Sequence, residues 1–398
     1  MSVIKKILSA VLAASVLLCV GCSGGNSENE STSASESDSV NSGSSAESTA
    51  EESTPEAPNT EQVDLNIYIE DGVFKVGGEK IWMNGMNTPW HKWDDFGGGY
   101  DAQWWREVFG AMHADGMNSA RVWLTCTGTT GFEFNDSGEI TGMTDKFWND
   151  LDSLFEIARE NRIYIMATLI SFDHFKNGNK DEWRAIAQES DKMDSFVNNY
   201  VIPLVERYDD NPYLWSIDLC NEPDWIYENE ECGQLSWDCL GELFARSASA
   251  IHEHSDDILV TIGFGIIKYN SDKYEGNYGS DEFLQSRYNN KNAYCDFWSV
   301  HYYDWQLPWF SSMFLKTPEE FGIDTSKPFV VGECGSEGIA PKKYAKTLSE
   351  CYQWAYDNGW CGVLPWNQYG LEPDKEFKTY IEEAAVYIDG VINADNAA

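Results

Sequence analysis

The sequence predicts an α/β protein built as a single (β/α)8 barrel. Eight short runs with the composition of buried strands alternate with helical segments, which is the pattern of parallel strands joined by helices. About 330 residues follow Asp64 without a second linker, a length that is ordinary for one such barrel. No GxGxxG or phosphate-binding loop follows any of the eight runs, which argues against an open dinucleotide-binding sheet.

The elements are assigned in order from apolar periodicity and from the residues that end each run. A hairpin is predicted at about 67–76, ahead of the barrel. The eight barrel strands are predicted at 81–86, 119–124, 163–170, 214–219, 258–262, 297–301, 329–333 and 362–366. Helices are predicted from about Ala102 to His113, after a Thr144 cap, from a Ser236 cap to about His254, and over a segment with Tyr344, Leu348, Cys351 and Tyr352.

Three segments of different composition divide the chain. Residues 1–22 have the pattern of a lipoprotein-type signal peptide, because two lysines precede an apolar run that is too short to span a bilayer. Residues 23–63 are a Ser/Glu-rich linker without Lys, Arg or aromatic residues, and such a segment is predicted to be disordered. Residues 64–398 are predicted to be the folded domain.

The end of the signal segment predicts where the protein resides. Gly21-Cys22 resembles a bacterial lipobox, although Cys19 stands where that pattern usually has leucine. We therefore expect lipidation of Cys22 and an extracellular protein anchored at the cell surface, with simple secretion as the alternative. The membrane is expected to be a partner only through this anchor.

Charge and cysteine spacing exclude several function classes. The formal net charge is −39 at pH 7, which disfavours binding to nucleic acid or anionic lipid and does not penalise a neutral polysaccharide. Eight of the ten cysteines lie in the folded domain without a close CxxC or His/Cys cluster, so no metal site is predicted. Some of these thiols could pair outside the cell, but Cys126, Cys220 and Cys334 are more simply explained as buried free thiols.

Two glutamates stand at the ends of predicted strands. Glu222 follows the strand at 214–219 and precedes Pro223, which cannot donate a hydrogen bond to a sheet. Glu333 ends the strand at 329–333 and is flanked by glycines. Because the carboxyl ends of barrel strands form the active-site face, we expect the two carboxyl groups to meet there. One protonated carboxyl and one carboxylate are what glycoside hydrolysis requires.

With these residues in place, the region from Tyr68 to Tyr387 resembles glycoside hydrolase family 5. The resemblance is carried by a set that occurs in the family's order: Arg121, Asn221-Glu222-Pro223, His301-x-Tyr303, Gly332-Glu333-x-Gly335 and Trp366. It implies a catalytic domain at 64–398 that hydrolyses a β-linked polysaccharide or oligosaccharide with retention of configuration. It also implies that no cofactor is needed, and we expect a monomer.

The resemblance also implies a role for each member of the set. Glu222 is expected to be the general acid/base and Glu333 the nucleophile, with their carboxyl groups about 5 to 5.5 Å apart. Arg121 is expected to favour the ionised form of Glu333. Asn221 is suited to hold the 2-hydroxyl of the sugar. Tyr303 is expected to hydrogen-bond Glu333, and His301 to lie beside Glu222.

One position departs from the family pattern. Separately, several aromatic residues in the predicted loops are candidates for sugar binding. Many members carry a histidine at the end of strand three, where this chain has none; the next is His174, whose reach is left open. The departure is shared more by mannan-cleaving relatives than by cellulases. The tryptophans expected to stack on sugars are Trp90, Trp93, Trp225, Trp305, Trp309 and Trp366.

Three functions remain in competition at this stage. The first is an endo-β-1,4-glycanase that cleaves internal linkages of mannan, glucomannan or β-glucan. The second is a non-catalytic polysaccharide-binding lipoprotein on a decayed barrel, which the presence of both glutamates disfavours. The third is a metal-dependent barrel hydrolase, which six scattered histidines disfavour.

Overall fold

The computed structural model describes residues 64–367, and its centre is a closed barrel of eight parallel strands. The predicted signal peptide with Cys22, the predicted linker and the last part of the predicted domain lie outside these residues. In chain order the barrel strands are β1 (Met83–Asn87), β2 (Ser119–Trp123), β3 (Tyr164–Thr168), β4 (Leu214–Asn221), β5 (Leu259–Phe264), β6 (Trp298–Tyr302), β7 (Phe329–Gly335) and β8 (Gly362–Trp366). Each pairs with its sequence neighbours, and β8 pairs with β1 to close the barrel. The predicted (β/α)8 architecture is confirmed.

Helices connect the strands and surround the barrel. They are α1 (Ala102–Ala114), α2 (Asp145–Asn161), α3 (Lys180–Ile186), α4 (Ser190–Phe196), α5 (Ile202–Tyr208), α6 (Pro223–Glu228), α7 (Trp237–His254), α8 (Asp281–Arg287), α9 (Leu307–Phe310) and α10 (Leu348–Asp357). The predicted caps are present, because the Thr144 side chain accepts a hydrogen bond from Phe147 N and that of Ser236 accepts one from Cys239 N.

The helix before the last strand begins later than the sequence suggested. It was expected to include Tyr344, but α10 begins at Leu348. Thr347 and Glu350 form a capping box there, with each side chain bonded to the other residue's backbone N–H. This cap fixes the helix start, and Tyr344 lies in the preceding loop with 40% of its surface exposed.

A small antiparallel sheet closes the end of the barrel where the strands begin, opposite their carboxyl ends. It contains Tyr68–Glu70, Val73–Val76 and Glu79–Lys80, of which the first two form the predicted hairpin. Phe74 from this sheet is fully buried, with its ring centroid 5.2 Å from that of Trp215 and 5.3 Å from that of Phe297. Since Trp215 is near the start of β4 and Phe297 precedes β6, the hairpin packs where the barrel strands begin.

The remaining short elements lie in the connections. Two further two-stranded sheets join Phe132–Phe134 to Ile140–Met143 and Asn270–Ser271 to Gly276–Asn277. None of the helices between residues 64 and 367 has the length and apolar character needed to cross a bilayer. The eight cysteines in this range are free thiols, and Cys126, Cys220 and Cys334 are buried as expected.

Candidate active site

Arg121 stands at the centre of the polar cluster inside the mouth of the barrel. It lies on β2 and is completely buried. Its five N–H donors are matched by five acceptor contacts: Nε and Nη2 to Asp218 at 3.0 and 2.7 Å, Nη1 to Asn87 at 2.9 Å and to Glu333 at 2.7 Å, and Nη2 to Asn221 at 2.8 Å. The guanidinium therefore fixes four residues from three other strands in one arrangement.

Two of these partners, Asp218 and Asn87, were not identified from the sequence. Asp218 accepts the Arg121 bonds in the interior of β4, where it is fully buried. The Asn87 amide also donates to the carbonyl oxygens of Gly332 and Leu364, at 2.9 and 2.8 Å. A lone acid in an apolar strand was the available signal for Asp218, because a buried carboxylate requires a partner.

Glu222 occupies a sharp turn between β4 and α6. Its backbone is left-handed, with φ 49° and ψ 56°, a conformation that is uncommon for a residue with a side chain. Its N–H donates to the Gly263 carbonyl at 2.7 Å, and Pro223 begins α6, where its missing N–H has no cost. A Cβ on Gly265 would lie 3.0 Å from Glu222 Oε1, so glycine is needed there to leave room for the carboxyl group.

The two predicted glutamates are brought together by His301. Its Nδ1 lies 2.9 Å from Glu222 Oε1 and 3.5 Å from Glu333 Oε2. One oxygen of each carboxyl group lies within 4.8 Å of the other. Burial lowers the pKa of His301 to about 4, so at neutral pH it is an uncharged link between two acids.

The two carboxyl groups differ in their surroundings. Burial raises the pKa of Glu222 to about 7, against the opposing charge of Arg121. Glu333 is 5% exposed, and its Oε1 accepts from Arg121 while its Oε2 accepts from the Tyr303 hydroxyl at 2.9 Å. Burial raises the pKa of Glu333 as well, and the positive charge of Arg121 opposes the rise. Arg121 thus acts in the expected direction, although burial outweighs it. Different surroundings for two neighbouring carboxyl groups allow an acid and a nucleophile to coexist.

Five of the six predicted sugar-binding tryptophans form two groups. Trp90 and Trp366 lie 5.7 Å apart between ring centroids, and both also contact Trp123, which the sequence analysis did not single out. Trp93 joins this group and is 43% exposed. The second group is Trp225 with Trp305, whose centroids are 6.4 Å apart. Trp309 is 53% exposed. The mouth therefore carries aromatic rings in two separate places.

It was left open whether His174 reaches the site. Both of its ring nitrogens hydrogen-bond to residues of the neighbouring loops. Its Nδ1 accepts from Ser171 N at 3.1 Å, and its Nε2 lies 2.9 Å from Thr125 Oγ1. Because Nδ1 accepts a hydrogen bond, the ring proton belongs on Nε2. Burial lowers the pKa of His174 to about 3. We conclude that this neutral histidine holds the turn after β3.

Between residues 64 and 367, Glu222, His301 and Glu333 are also the group whose ligand atoms are spaced closely enough to hold a metal ion. The Nδ1 of His301 is at hydrogen-bonding distance from Glu222, so direct hydrogen bonding accounts for this spacing. We assign no metal ligand role to them.

Comparisons with known proteins agree with this arrangement. The family model for cellulase, glycosyl hydrolase family 5, matches residues 75–385. The mannan endo-1,4-beta-mannosidase of Cryptopygus antarcticus is 26% identical over 326 residues, covering 74% of this chain and 82% of that protein. The enzyme of the same name from Mytilus edulis is 24% identical over 317 residues, covering 73% and 84%.

Solved structures share the barrel. The beta-mannanase of the blue mussel Mytilus edulis superposes with a TM-score of 0.73 at 22% identity, covering 82% of this chain and 96% of that one. The endo-1,4-beta-mannanase of Eisenia fetida gives 0.70 at 22% identity, covering 81% and 95%. The family match extends over more than half of the chain, and the barrel and its residues fit it. The chain therefore belongs to glycosyl hydrolase family 5 and is an O-glycosyl hydrolase.

Proposed function

We propose that this protein is a retaining endo-β-1,4-mannanase with Glu222 as general acid/base and Glu333 as nucleophile. The observation that carries the proposal is a distance: an oxygen of Glu222 lies within 4.8 Å of an oxygen of Glu333. Retaining enzymes hold these groups about 5–5.5 Å apart, whereas inverting enzymes hold them about 6.5–9.5 Å apart to admit a water molecule.

In the first step Glu333 attacks the anomeric carbon while Glu222 gives its proton to the glycosidic oxygen. The pKa of about 7 for Glu222, which burial raises, keeps that proton available near neutral pH. The two bonds from Arg121 and Tyr303 hold Glu333 in a fixed orientation for attack. In the second step Glu222 takes a proton from a water molecule as the water oxygen attacks the anomeric carbon. The bond to Glu333 breaks, and Glu333 leaves as a carboxylate.

Asn221 supports the same reaction. Its Oδ1 accepts from Arg121 at 2.8 Å and its Nδ2 donates to Ser171 Oγ at 3.4 Å, so its orientation is fixed and the second hydrogen of Nδ2 remains to donate. We assign that nitrogen to the 2-hydroxyl of the sugar, a contact that strengthens in the transition state.

Internal cleavage of a polymer follows from the aromatic groups on both sides of the carboxyl pair. Sugar rings stack on tryptophan faces. The group at Trp90, Trp93 and Trp366 is assigned to sugars on the Glu333 side, and the pair Trp225 and Trp305 to the leaving side beside Glu222. Exposed rings at Trp93 and Trp309 suit an extended chain that continues beyond the cleaved bond.

Mannan is the proposed substrate because two relatives matched over about three quarters of this chain are named mannan endo-1,4-beta-mannosidases. The cellulase family model makes β-glucan the second candidate. The test is a panel of mannan, glucomannan, cellulose, xyloglucan and mixed-linkage glucan, with Glu333→Gln as the inactive control. Preferential release of short manno-oligosaccharides supports the proposal, and a preference for glucan would replace it with an endoglucanase.

We further propose that the enzyme is exported and held at the outer surface of a bacterial cell through lipidated Cys22. The sequence around residues 1–22 supports this location. An external location agrees with a polymer substrate that is too large to enter a cell.

A further inference from the structure

The ends of β3 and β4 are joined by the side chains of Ser171 and Asn221. The two residues form a parallel bridge beyond β3, and Asn221 N donates to the Ile170 carbonyl at 2.8 Å. In addition to this backbone pairing, Asn221 Nδ2 donates to Ser171 Oγ at 3.4 Å. Ser171 is fully buried and Asn221 is 2% exposed, so the contact is closed to bulk water.

Asp173 determines the direction of the Ser171 hydroxyl. Ser171 Oγ donates to Asp173 Oδ2 at 3.0 Å and accepts from Asp173 N at 3.3 Å. A hydroxyl has one hydrogen to donate and two lone pairs that accept. Because the hydrogen is directed to the carboxylate and one lone pair to the backbone N–H, the remaining lone pair accepts from the Asn221 amide nitrogen.

The second oxygen of Asp173 is bound to its own cation. Asp173 Oδ1 lies 3.0 Å from Lys176 Nζ and accepts from Asn177 Nδ2 at 3.3 Å. Asp173 is 7% exposed; burial raises its pKa, and the Lys176 ion pair opposes the rise. A serine that only capped the turn at Phe172–Phe175 would use the Asp173 backbone N–H and would not require a buried acid. The carboxylate therefore has a task besides the cap.

The Asn221 amide is held through both of its ends. Its Oδ1 accepts from Arg121 Nη2 at 2.8 Å, and a guanidinium can only donate. A flipped amide would place its NH2 group against the Arg121 donors and its oxygen against the Ser171 lone pair. One orientation is therefore favoured, in which Ser171 takes one hydrogen of Nδ2 and the other remains for the substrate.

We propose that Ser171 and Asp173 are positioning residues that direct the Asn221 amide to the 2-hydroxyl of the sugar. Asp173 orients the Ser171 hydroxyl, and that hydroxyl fixes the Asn221 nitrogen. The contact to the 2-hydroxyl strengthens in the transition state, so a misdirected amide lowers kcat more than it raises KM. This inference rests on the proposed function, in which Asn221 holds that hydroxyl.

The test compares two dinitrophenyl β-mannobiosides, one complete and one without the 2-hydroxyl on the sugar that carries dinitrophenol. Ser171→Ala removes the acceptor, and Asp173→Asn keeps the shape but removes the charge that orients it. Both variants should lower kcat/KM about tenfold on the complete substrate and change it little on the deoxy substrate. The missing hydroxyl alters the intrinsic reactivity equally for every variant, so an equal loss on both substrates is a structural effect and overturns the inference.

Asn177→Ala is the matched control, because it removes a contact to the other oxygen of Asp173 and leaves the Ser171 bond in place. It should match the wild type on both substrates. Thermal unfolding of each variant establishes that it is folded, and Asp173→Asn carries the test if Ser171→Ala does not fold. A loss in Asn177→Ala as large and as selective as that in Asp173→Asn would contradict the role given to the Ser171 bond.

A measurement without turnover separates this inference from the proposed function. Proton–nitrogen NMR detects the Asn221 side-chain amide, assigned by its absence in Asn221→Ala. One of its two protons should move upfield in Ser171→Ala and Asp173→Asn, because a hydrogen bond deshields the proton it holds. Unchanged signals overturn the inference even if mannan is cleaved. The expected shifts, together with a wild type that cleaves no polymer, would keep the positioning of the amide and overturn the proposed function.

Discussion

Asp218 and Glu333 are bound to the same guanidinium, each at 2.7 Å from a different terminal nitrogen of Arg121. The two acids come from β4 and β7, and their side chains are at most 6% exposed. A single positive charge thus serves two carboxylates in the interior of the barrel. Burial raises the pKa of Glu333, and the Arg121 charge opposes that rise.

Asp218→Asn should therefore destabilise the fold and change the ionisation of Glu333. The variant leaves Arg121 with one acidic partner, and breaking a buried ion pair lowers the free energy of unfolding by about 3–5 kcal/mol. Removal of a nearby negative charge should lower the pKa of Glu333 and move the acidic limb of kcat/KM to lower pH. Urea unfolding and a pH–rate profile measure the two effects.

The matched control is Asp152→Asn, which breaks an ion pair with Arg207 whose two side chains are more than 40% exposed. Pairs of this kind contribute about 1 kcal/mol or less, and this one is remote from the carboxyl pair in the chain. Equal stability losses in the two variants would contradict the role assigned to the buried pair.

Asp224→Asn should stabilise the protein, and more so as the pH rises. Asp224 is 1% exposed; its Oδ1 accepts from Gly265 N at 2.8 Å, and its Oδ2 has no hydrogen-bond partner among the described residues. Burial raises the pKa of Asp224 well above its usual value. Below pH 3.9, about the pKa of an aspartate in the unfolded chain, Asp224 therefore costs the fold nothing. As the pH rises from there toward the higher pKa of the folded state, the free energy of unfolding falls, because only the unfolded chain can ionise freely.

Melting temperatures at pH 4 and pH 8 test whether the stabilisation by Asp224→Asn grows with pH. The gain of Asp224→Asn over wild type should be small at pH 4 and larger at pH 8, because asparagine does not ionise. Asp136→Asn, at an exposed aspartate, is the control and should show the same small difference at both values. A gain confined to low pH would mean that Asp224 is ionised in the fold.

The sequence predicted the catalytic glutamates of this site better than the residues that hydrogen-bond Arg121. The strand patterns were sufficient to place Glu222 and Glu333 at the mouth, because each strand is a local apolar run that ends in a recognisable turn. The hydrogen-bond partners of Arg121 were harder to predict, because Asp218 and Glu333 lie 97 and 212 residues away in the sequence. No local pattern carries such information, and Asp218 was visible only as a lone acid within an apolar strand.

Two local features were also missed for physical reasons. The helix expected to contain Tyr344 begins only at Leu348, because the capping box of Thr347 fixes its start and apolar periodicity continued across that boundary. Trp123 falls within the predicted strand at 119–124 and was not singled out, and it is buried. It lies two residues beyond Arg121, and its ring also supports Trp90 and Trp366. Burial and a site-supporting position are compatible, and the sequence alone does not separate them.

Lipidation at Cys22 remains a prediction from residues 1–22. Cells that express the wild type should incorporate a fatty-acid probe into the protein, and cells that express Cys22→Ser should not. The serine variant should also leave the membrane fraction, since it has no acyl chain to hold it there. Equal labelling of both proteins would leave ordinary secretion as the explanation of the signal sequence.

Glu222→Ala should lose far more activity on mannan than in the glycosylation step on a dinitrophenyl glycoside. A sugar alkoxide is a poor leaving group and needs the proton of Glu222, whereas dinitrophenolate leaves without one. The second step should stay slow for both substrates, because no base remains to activate water. The glycosyl–Glu333 intermediate should then accumulate, which gives a burst of dinitrophenolate followed by a slow steady rate.

Azide should restore turnover of the dinitrophenyl glycoside by Glu222→Ala, since it needs no base and fits the space that the carboxyl group vacated. Its attack on the intermediate is the second inversion at the anomeric carbon, after the first by Glu333. The glycosyl azide should therefore have the same anomeric configuration as the substrate, which proton NMR of the product determines. The separation of at most 4.8 Å between an oxygen of Glu222 and one of Glu333 leaves the substrate within reach of both residues in turn. Formation of the opposite anomer would require a single displacement, and Glu333 would then not be the nucleophile.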